Sequence, residues 1–335
     1  MAYGMNSAVT IVILTRDRPD FFEKCLKSVF EDQEVAPEVI VSDNSIQDHI
    51  AIRKLRSRYP FSYVRQSGQL TMTEHHNLCL GLPSTPWMWL VHDDDELYPG
   101  SIRKVQEFVA GCEDVAIVLG GLEYIDPQGR RLTTWMPKSS GTFCGEEGLL
   151  RLGLDFGAFS PGTIFKVAAS REIGGFIDID GVCADYPLSV RLAFSYGVAF
   201  FRELVGRFRM GHRQSSDYST PEKAEALLDF VMREGELMRS IGCSHGAAEQ
   251  IVDYTTWETF LKVAPPWLQS HESFVFRLTQ KCLRVSPLPG EWQNRVRNQY
   301  PFLFWSLPRL SWPLYQTAKS VIPAPLRRWL RAQGG

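Results

Sequence analysis

The chain has 335 residues, 44% of them apolar and 22% charged, and its 36 Lys and Arg nearly balance 38 Asp and Glu. That composition excludes a disordered, collagen-like or disulfide-stapled chain, and near-neutrality excludes the global positive field of a nucleic-acid binder. The seven cysteines, at 25, 79, 112, 144, 183, 243 and 282, form no Cys-x-x-Cys pair, so neither a zinc ribbon nor a disulfide framework is expected and a reducing compartment fits. The opening MAYGMNSAVT has no basic region followed by an apolar stretch. No apolar run approaches the roughly 18 residues that span a bilayer. A cytoplasmic protein is expected, free or seated on the membrane from the inside.

In chain order, VTIVILT (9–15) is a continuous apolar, β-branched run, the pattern of a strand buried on both faces. DRPDFFEKCLKSVF (17–30) places Phe22, Leu26, Val29 and Phe30 at helical spacing behind Pro19. EVIVSD (38–43) predicts a second strand and HIAIRKLRSR (49–58) a second helix. FSYVR (61–65), a helical TMTEHHNLCLGL (71–82), WMWLVH (87–92) and SIRKVQEFVA (101–110) continue the alternation, and VAIVLGGLEYI (115–125) is the next strand. YIDPQGRRLTTW (124–135) reads as a hairpin. Alternating strands and helices imply right-handed crossovers and a mostly parallel α/β sheet. Beyond about residue 220 the pattern turns helical, broken by Pro265-Pro266 and by prolines at 287 and 289.

Ligands of open parallel sheets bind beyond the carboxyl ends of the strands. There the chain carries Thr15-Arg16-Asp17, Ser42-Asp43-Asn44-Ser45 and His92-Asp93-Asp94-Asp95-Glu96. Carboxylates about 5 Å apart repel by roughly 3 kcal/mol per pair at an effective dielectric near 20. Three ionised Asp at one strand end therefore favour a hard divalent cation, Mn²⁺ or Mg²⁺; a solvated acidic turn leading into a helix is the alternative. Asp185, ahead of an apolar helical face, reads on its own as a helix N-cap, and His212 as a lone histidine. No G-x-G-x-x-G follows the first strand, and no G-x-x-x-x-G-K-[ST] or G-x-S-x-G occurs. These absences argue against a dinucleotide dehydrogenase, a P-loop enzyme and a serine hydrolase.

Four segments in order carry a family likeness: VTIVILTRDRPDFFEKCLKSVFEDQ, EVIVSDNSIQD, WMWLVHDDDELYPGSI and SPGTIFKVAASREIGGFIDIDGVCADYPLSVRLAFSYGVAFF. Over residues 8–216 the chain resembles the inverting family 2 glycosyltransferases. The resemblance implies the GT-A fold, a Rossmann-like, mostly parallel sheet with helices on both faces, here with a helical C-terminal extension. It implies a GT-A domain over 1–220, and beyond it composition gives a helical acceptor or packing subdomain over 221–300 and a basic aromatic tail over 301–335. It further implies transfer of one sugar from a nucleoside-diphosphate-sugar to a saccharide or lipid-linked acceptor (EC 2.4, of the kind used in polysaccharide biosynthesis). By this likeness Thr15, Arg16, Asp43 and Asp93 belong to the donor pocket, Asp94 and Asp95 hold Mn²⁺ or Mg²⁺ with His212 as a further contact, and Asp185 is the general base. His92 falls where the first Asp of the family's Asp-x-Asp motif is expected, and Ala184 replaces the first member of the acidic pair before Asp185. Pro325, four residues ahead of Trp329, stands where the processive synthases carry Gln.

From Trp292 onward there are seven Lys or Arg, no Asp or Glu, and tryptophans at 292, 305, 312 and 329. Such a tail suits an anionic membrane surface, or equally a C-terminal brace packed on the rest of the protein. Two other functions stand beside the transferase: a non-catalytic nucleotide-sugar-binding relative, favoured by Ala184, and a sugar-phosphate nucleotidylyltransferase, for which Thr15-Arg16-Asp17-Arg18-Pro19 lacks the Gly-rich loop.

Overall fold

The structure, a computed structural model, describes residues 8–31, 35, 37–46, 50–154, 160–177, 185–211, 220–263, 278 and 281–282. The chain divides into two units, Met1–Ser215 with Ser240–Cys243 and Ser216–Arg239 with Ser244–Gly335. The first holds, in order, β1 (Val9–Thr15), α1 (Pro19–Phe30), β2 (Glu38–Asp43), α2 (Ile50–Leu55), β3 (Ser62–Arg65), α3 (Met72–Leu80), β4 (Trp87–His92), β5 (Glu96–Leu97), α4 (Ser101–Ala110), β6 (Ile117–Ile125), β7 (Arg131–Trp135), β8 (Gly141–Phe143), α5 (Gly145–Leu154), β9 (Thr163–Lys166), α6 (Val167–Glu172), α7 (Asp185–Ser195) and β10 (Val198–Arg209). The second holds α8 (Pro221–Ser240) and α9 (His245–Val263), with Leu228, Phe230, Val231, Trp257 and Phe260 buried.

The sheet runs β3-β2-β1-β4-β9-β6-β10-β5, with β7 on β6 and β8 on β10. Parallel pairs join β1 to β2 and β4, β2 to β3, and β6 to β10, as the strand–helix alternation predicts. The sheet is nonetheless mixed, because β9 enters antiparallel between β4 and β6. Sequence periodicity misses β8 and β9, whose three and four residues are too few to show a repeat. The second helix ends at Leu55 instead of 58: Ser57 N and Arg58 N bond three residues back, to Lys54 O and Leu55 O at 3.2 and 3.0 Å. That tightened turn delivers Tyr59 into the core.

β1, β2 and β4 are buried on both faces, which their apolar runs require, while β3 at the sheet edge stays partly exposed. On one face Ile11, Ile13, Val41, Trp89 and Val91 pack with Phe22, Leu26 and Val29 of α1 and Ile102, Val105 and Val109 of α4. α3 packs on β1, α7 on β6, and α6 and α5 on α7. Register then fixes what meets at the carboxyl edge. Thr15 stands beside Asp43, and Leu14 beside His92, so Asp93 emerges next to Thr15. Gly120 is glycine for a packing reason: a Cβ there would lie 2.5 Å from Val205 of the neighbouring strand. Among the described residues no helix is long and apolar enough to cross a membrane.

Candidate active site

Three strand ends and one helix start build the site. After β1 the chain turns sharply at Asp17, which takes a left-handed φ of 55° that Asp tolerates better than most residues. Asp17 N donates to Ser45 Oγ (2.9 Å) and its carboxylate accepts from Ile46 N (3.0 Å), locking the loops after β1 and β2 together. Asp43 is fully buried and accepts from Ser45 N (2.8 Å), from Tyr63 Oη (2.7 Å) and from Arg65 Nη1 (2.9 Å). Burial alone would raise its pKa, but these donors hold it below the ordinary value, so Asp43 stays ionised.

Asp93 is also fully buried. Its Oδ2 accepts from Thr15 Oγ1 (2.8 Å) and Arg16 N (3.1 Å), and its Oδ1 lies 3.1 Å from Arg18 Nη2. The same guanidinium pairs with Asp94. Asp95 accepts from Arg209 N (2.9 Å), and the wholly buried Arg209 side chain donates to Asp94 O (2.8 Å) and Asp126 O (3.0 Å) and pairs with Glu96. Carboxylate repulsion is thus relieved first by the chain's own arginines. Protonation relieves the rest: burial pushes Asp93 up to about 7 despite Arg18, and burial with the neighbouring Asp94 pushes Asp95 well above the carboxylate range.

Atoms of His92, Asp94 and Asp95 that can ligate a metal lie within 4.8 Å of one another. Two carboxylates and an imidazole are a fitting donor set for a divalent cation. Asp93, committed to Thr15, Arg16 and Arg18, stands outside this group. His92 is held below its ordinary pKa by burial, against the pull of Asp94 and Asp185. Asp185 opens α7, and its Oδ2 lies 3.4 Å from Ser160 N. Burial raises its pKa and His92 draws it back. The helix-start reading and the cleft reading of Asp185 therefore both describe the same residue, placed within electrostatic reach of the acidic run through His92. His212, Ala184 and the tail from Trp292 lie outside the described residues.

Sequence reasoning missed the supporting residues. His75 Nε2 lies 2.9 Å from Ser42 Oγ and His76 Nε2 lies 3.1 Å from His92 Nε2. Arg16 Nη1 and Asn44 Nδ2 both donate to Leu70 O, at 3.2 and 3.1 Å. The adjacent histidines were visible in EHHN, but no local spacing tied them to strands 16 and 33 residues away.

Asp93 predicts a pH signature. With a folded pKa of about 7 against an ordinary 3.8, the folded state holds a proton that the unfolded state has released. Stability therefore falls as pH rises, and the loss is complete above the folded pKa. Between pH 6 and 8 the metal-free protein is expected to lose about 1 kcal/mol through this group relative to Asp93→Asn. Urea midpoints of the two proteins across that range test it, and parallel curves would remove Asp93 as the cause.

Residues 10–174 match the model of the family described as Glycosyl transferase family 2. That is just under half the chain and ends ahead of Asp185. An uncharacterized protein of Mycobacterium tuberculosis (strain CDC 1551 / Oshkosh) is 34% identical over 82 residues, 24% of this chain and 26% of that protein, so the match spans about a quarter of the relative's length. TarS of S. aureus (residues 1–349, in complex with UDP-GlcNAc) superposes with a TM-score of 0.60 at 13% identity, covering 89% of this chain and 86% of that one. The mannosyltransferase PcManGT from Pyrobaculum calidifontis, in complex with GDP-Man and Mn²⁺, gives 0.53 at 13% identity, covering 98% and 85%. The fold is the GT-A fold that the sequence segments imply.

Proposed function

We propose that the chain is a metal-dependent inverting glycosyltransferase that moves one sugar from a nucleoside-diphosphate-sugar to a saccharide or lipid-linked acceptor. The observation that carries the reading is the convergence, on one sheet edge, of the ionised Asp43, the His92, Asp94 and Asp95 group, and Asp185. The family match over 10–174 supports it, as do two solved proteins of this fold that carry UDP-GlcNAc, and GDP-Man with Mn²⁺. On this reading GT-A residues 1–220 perform the chemistry and 221–300 serve the acceptor side.

Asp43, fixed by Tyr63 and Arg65, accepts a hydrogen bond from the donor's base or ribose, beside Thr15. Asp94 and Asp95 hold a divalent cation, which supplies the countercharge for the departing nucleoside diphosphate. Asp185, raised by burial and aimed from a helix start, takes the proton of the acceptor hydroxyl as that oxygen attacks the anomeric carbon from the face opposite the leaving group. Arg18 competes with the cation for Asp94 in the ligand-free site and is free to turn to the diphosphate once released. Arg18→Gln is accordingly expected to tighten Mn²⁺ binding about tenfold, a shift of about 1.4 kcal/mol, in titration calorimetry without nucleotide. An unchanged affinity would show that the arginine and the metal do not compete.

The proposal itself is tested by thermal stability against a panel of nucleoside diphosphates, each with and without Mn²⁺. At 100 times its dissociation constant a true ligand adds about 2.7 kcal/mol. One nucleotide is expected to raise the melting temperature in a metal-dependent way. No shift with any of them would favour the scaffold reading.

A further inference from the structure

The histidine pair at 76 and 92 carries more than packing. His76 Nδ1 lies 2.6 Å from Met72 O, one turn earlier on α3. A carbonyl only accepts, so the ring proton of His76 sits on Nδ1 and its Nε2 is bare. That bare nitrogen lies 3.1 Å from His92 Nε2, the rings meeting edge to face with an interplanar angle of 80°. Two lone pairs would repel at this distance, so His92 is the donor. Its proton is fixed on Nε2, and Nδ1 carries the ring's lone pair. A neutral imidazole whose other nitrogen donates to an oriented partner is the form in which histidine binds metals. Met72, His76 and His92 thus form a relay that ends at the carboxylates of Asp94 and Asp95, with which His92 shares the 4.8 Å group.

We propose that His92, through Nδ1, is a nitrogen ligand of the divalent cation held by Asp94 and Asp95, and that His76 is the positioning residue that fixes its tautomer. This rests on the cation site of the preceding reading and gives it a specificity. Carboxylate oxygens suit Mg²⁺ and Mn²⁺ alike, whereas Mg²⁺ is a hard cation of oxygen ligands and an added imidazole nitrogen favours the transition ion. The site therefore prefers Mn²⁺ over Mg²⁺, and the preference resides in His92.

The test uses the full chain with Mn²⁺, alone and with UDP or GDP, followed by pulsed electron paramagnetic resonance. Wild type is expected to show the modulation of a directly bound ¹⁴N. His92→Asp, which replaces the imidazole by a carboxylate, is expected to keep Mn²⁺ but lose the modulation, and its Mn²⁺-over-Mg²⁺ preference, read by Mg²⁺ displacement, should fall at least tenfold. His76→Leu is expected to weaken Mn²⁺ about 10- to 100-fold, while His76→Gln, whose amide oxygen can still accept from His92 Nε2, restores both affinity and modulation. A folding defect cannot produce that rescue pattern. Bound Mn²⁺ without nitrogen modulation, or an unchanged metal preference in His92→Asp, overturns the proposal. Nucleotide-dependent Mn²⁺ binding without the modulation overturns it while leaving the transferase reading intact. Nitrogen-coupled Mn²⁺ that ignores every nucleoside diphosphate does the reverse.

Discussion

Asp185→Asn is expected to lower the transfer rate by 10² to 10⁴ while leaving donor and Mn²⁺ binding within about twofold. The magnitude is that of a general base removed from a reaction whose other contributions persist. Asn keeps the shape and still accepts from Ser160 N, so the helix start survives. What disappears is the capacity to take a proton beside His92, where burial has raised the carboxyl toward usable basicity. Steady-state transfer, paired with calorimetry of nucleotide and Mn²⁺, separates the two effects. Equal loss of binding and rate would make Asp185 a structural cap, and an unchanged rate would remove it from the chemistry.

The second large effect is on stability. Arg209→Met is expected to cost 3–5 kcal/mol, because it takes from the buried Glu96 carboxylate one of its two guanidinium partners, leaving only Arg207, and removes the donors to Asp94 O, Asp126 O and Pro127 O. At about 2–4 °C per kcal/mol for a domain of this size, the melting temperature should fall by about 10 °C. Arg209→Lys is expected to recover little, since an ammonium cannot reproduce a planar fork that spans four acceptors and lies 5.2 Å from the Phe21 ring centroid. Adding Glu96→Gln to Arg209→Met should restore part of the loss by removing a buried charge that Arg207 alone is left to balance. Chemical denaturation of the three variants reads this directly. A cost below about 1 kcal/mol would show that Arg207 alone satisfies Glu96 and that water reaches the carbonyls Arg209 had served.

The three central parallel strands were legible because they are buried on both faces: VTIVILT, EVIVSD and WMWLVH fall on the observed β1, β2 and β4 to the residue. The helix over 101–110 was equally plain from its apolar stripe. What escaped is short or distant. Thr163–Lys166 is a four-residue strand between Pro161-Gly162 and a helix, with no room for a period to show, yet it turns the sheet from parallel to mixed. The carboxylates of the site could be read from the sequence, since charge collected at strand ends is a local signal. Their countercharges could not. Arg209 meets Glu96 across 113 positions and Arg18 meets Asp94 across 76, and only the completed register brings them together. For the same reason the residues alone read Asp185 as a cap, and its role as general base came only from the family likeness.

Helix α3 begins in a reciprocal cap, with Thr71 Oγ1 accepting from Glu74 N and Glu74 accepting from Thr71 N, and the residues that follow reach two strand ends at once, His75 to Ser42 and His76 to His92. Neighbouring positions on a helix point about 100° apart, so this one dipeptide spans the gap between the loop after β2 and the loop after β4. An inserted or deleted residue anywhere between Thr71 and His76 would rotate both rings off their partners together. The count of residues from cap to histidines is thus a constraint separate from their identity, and in descendants of this sequence the length of this first turn and a half should stay frozen.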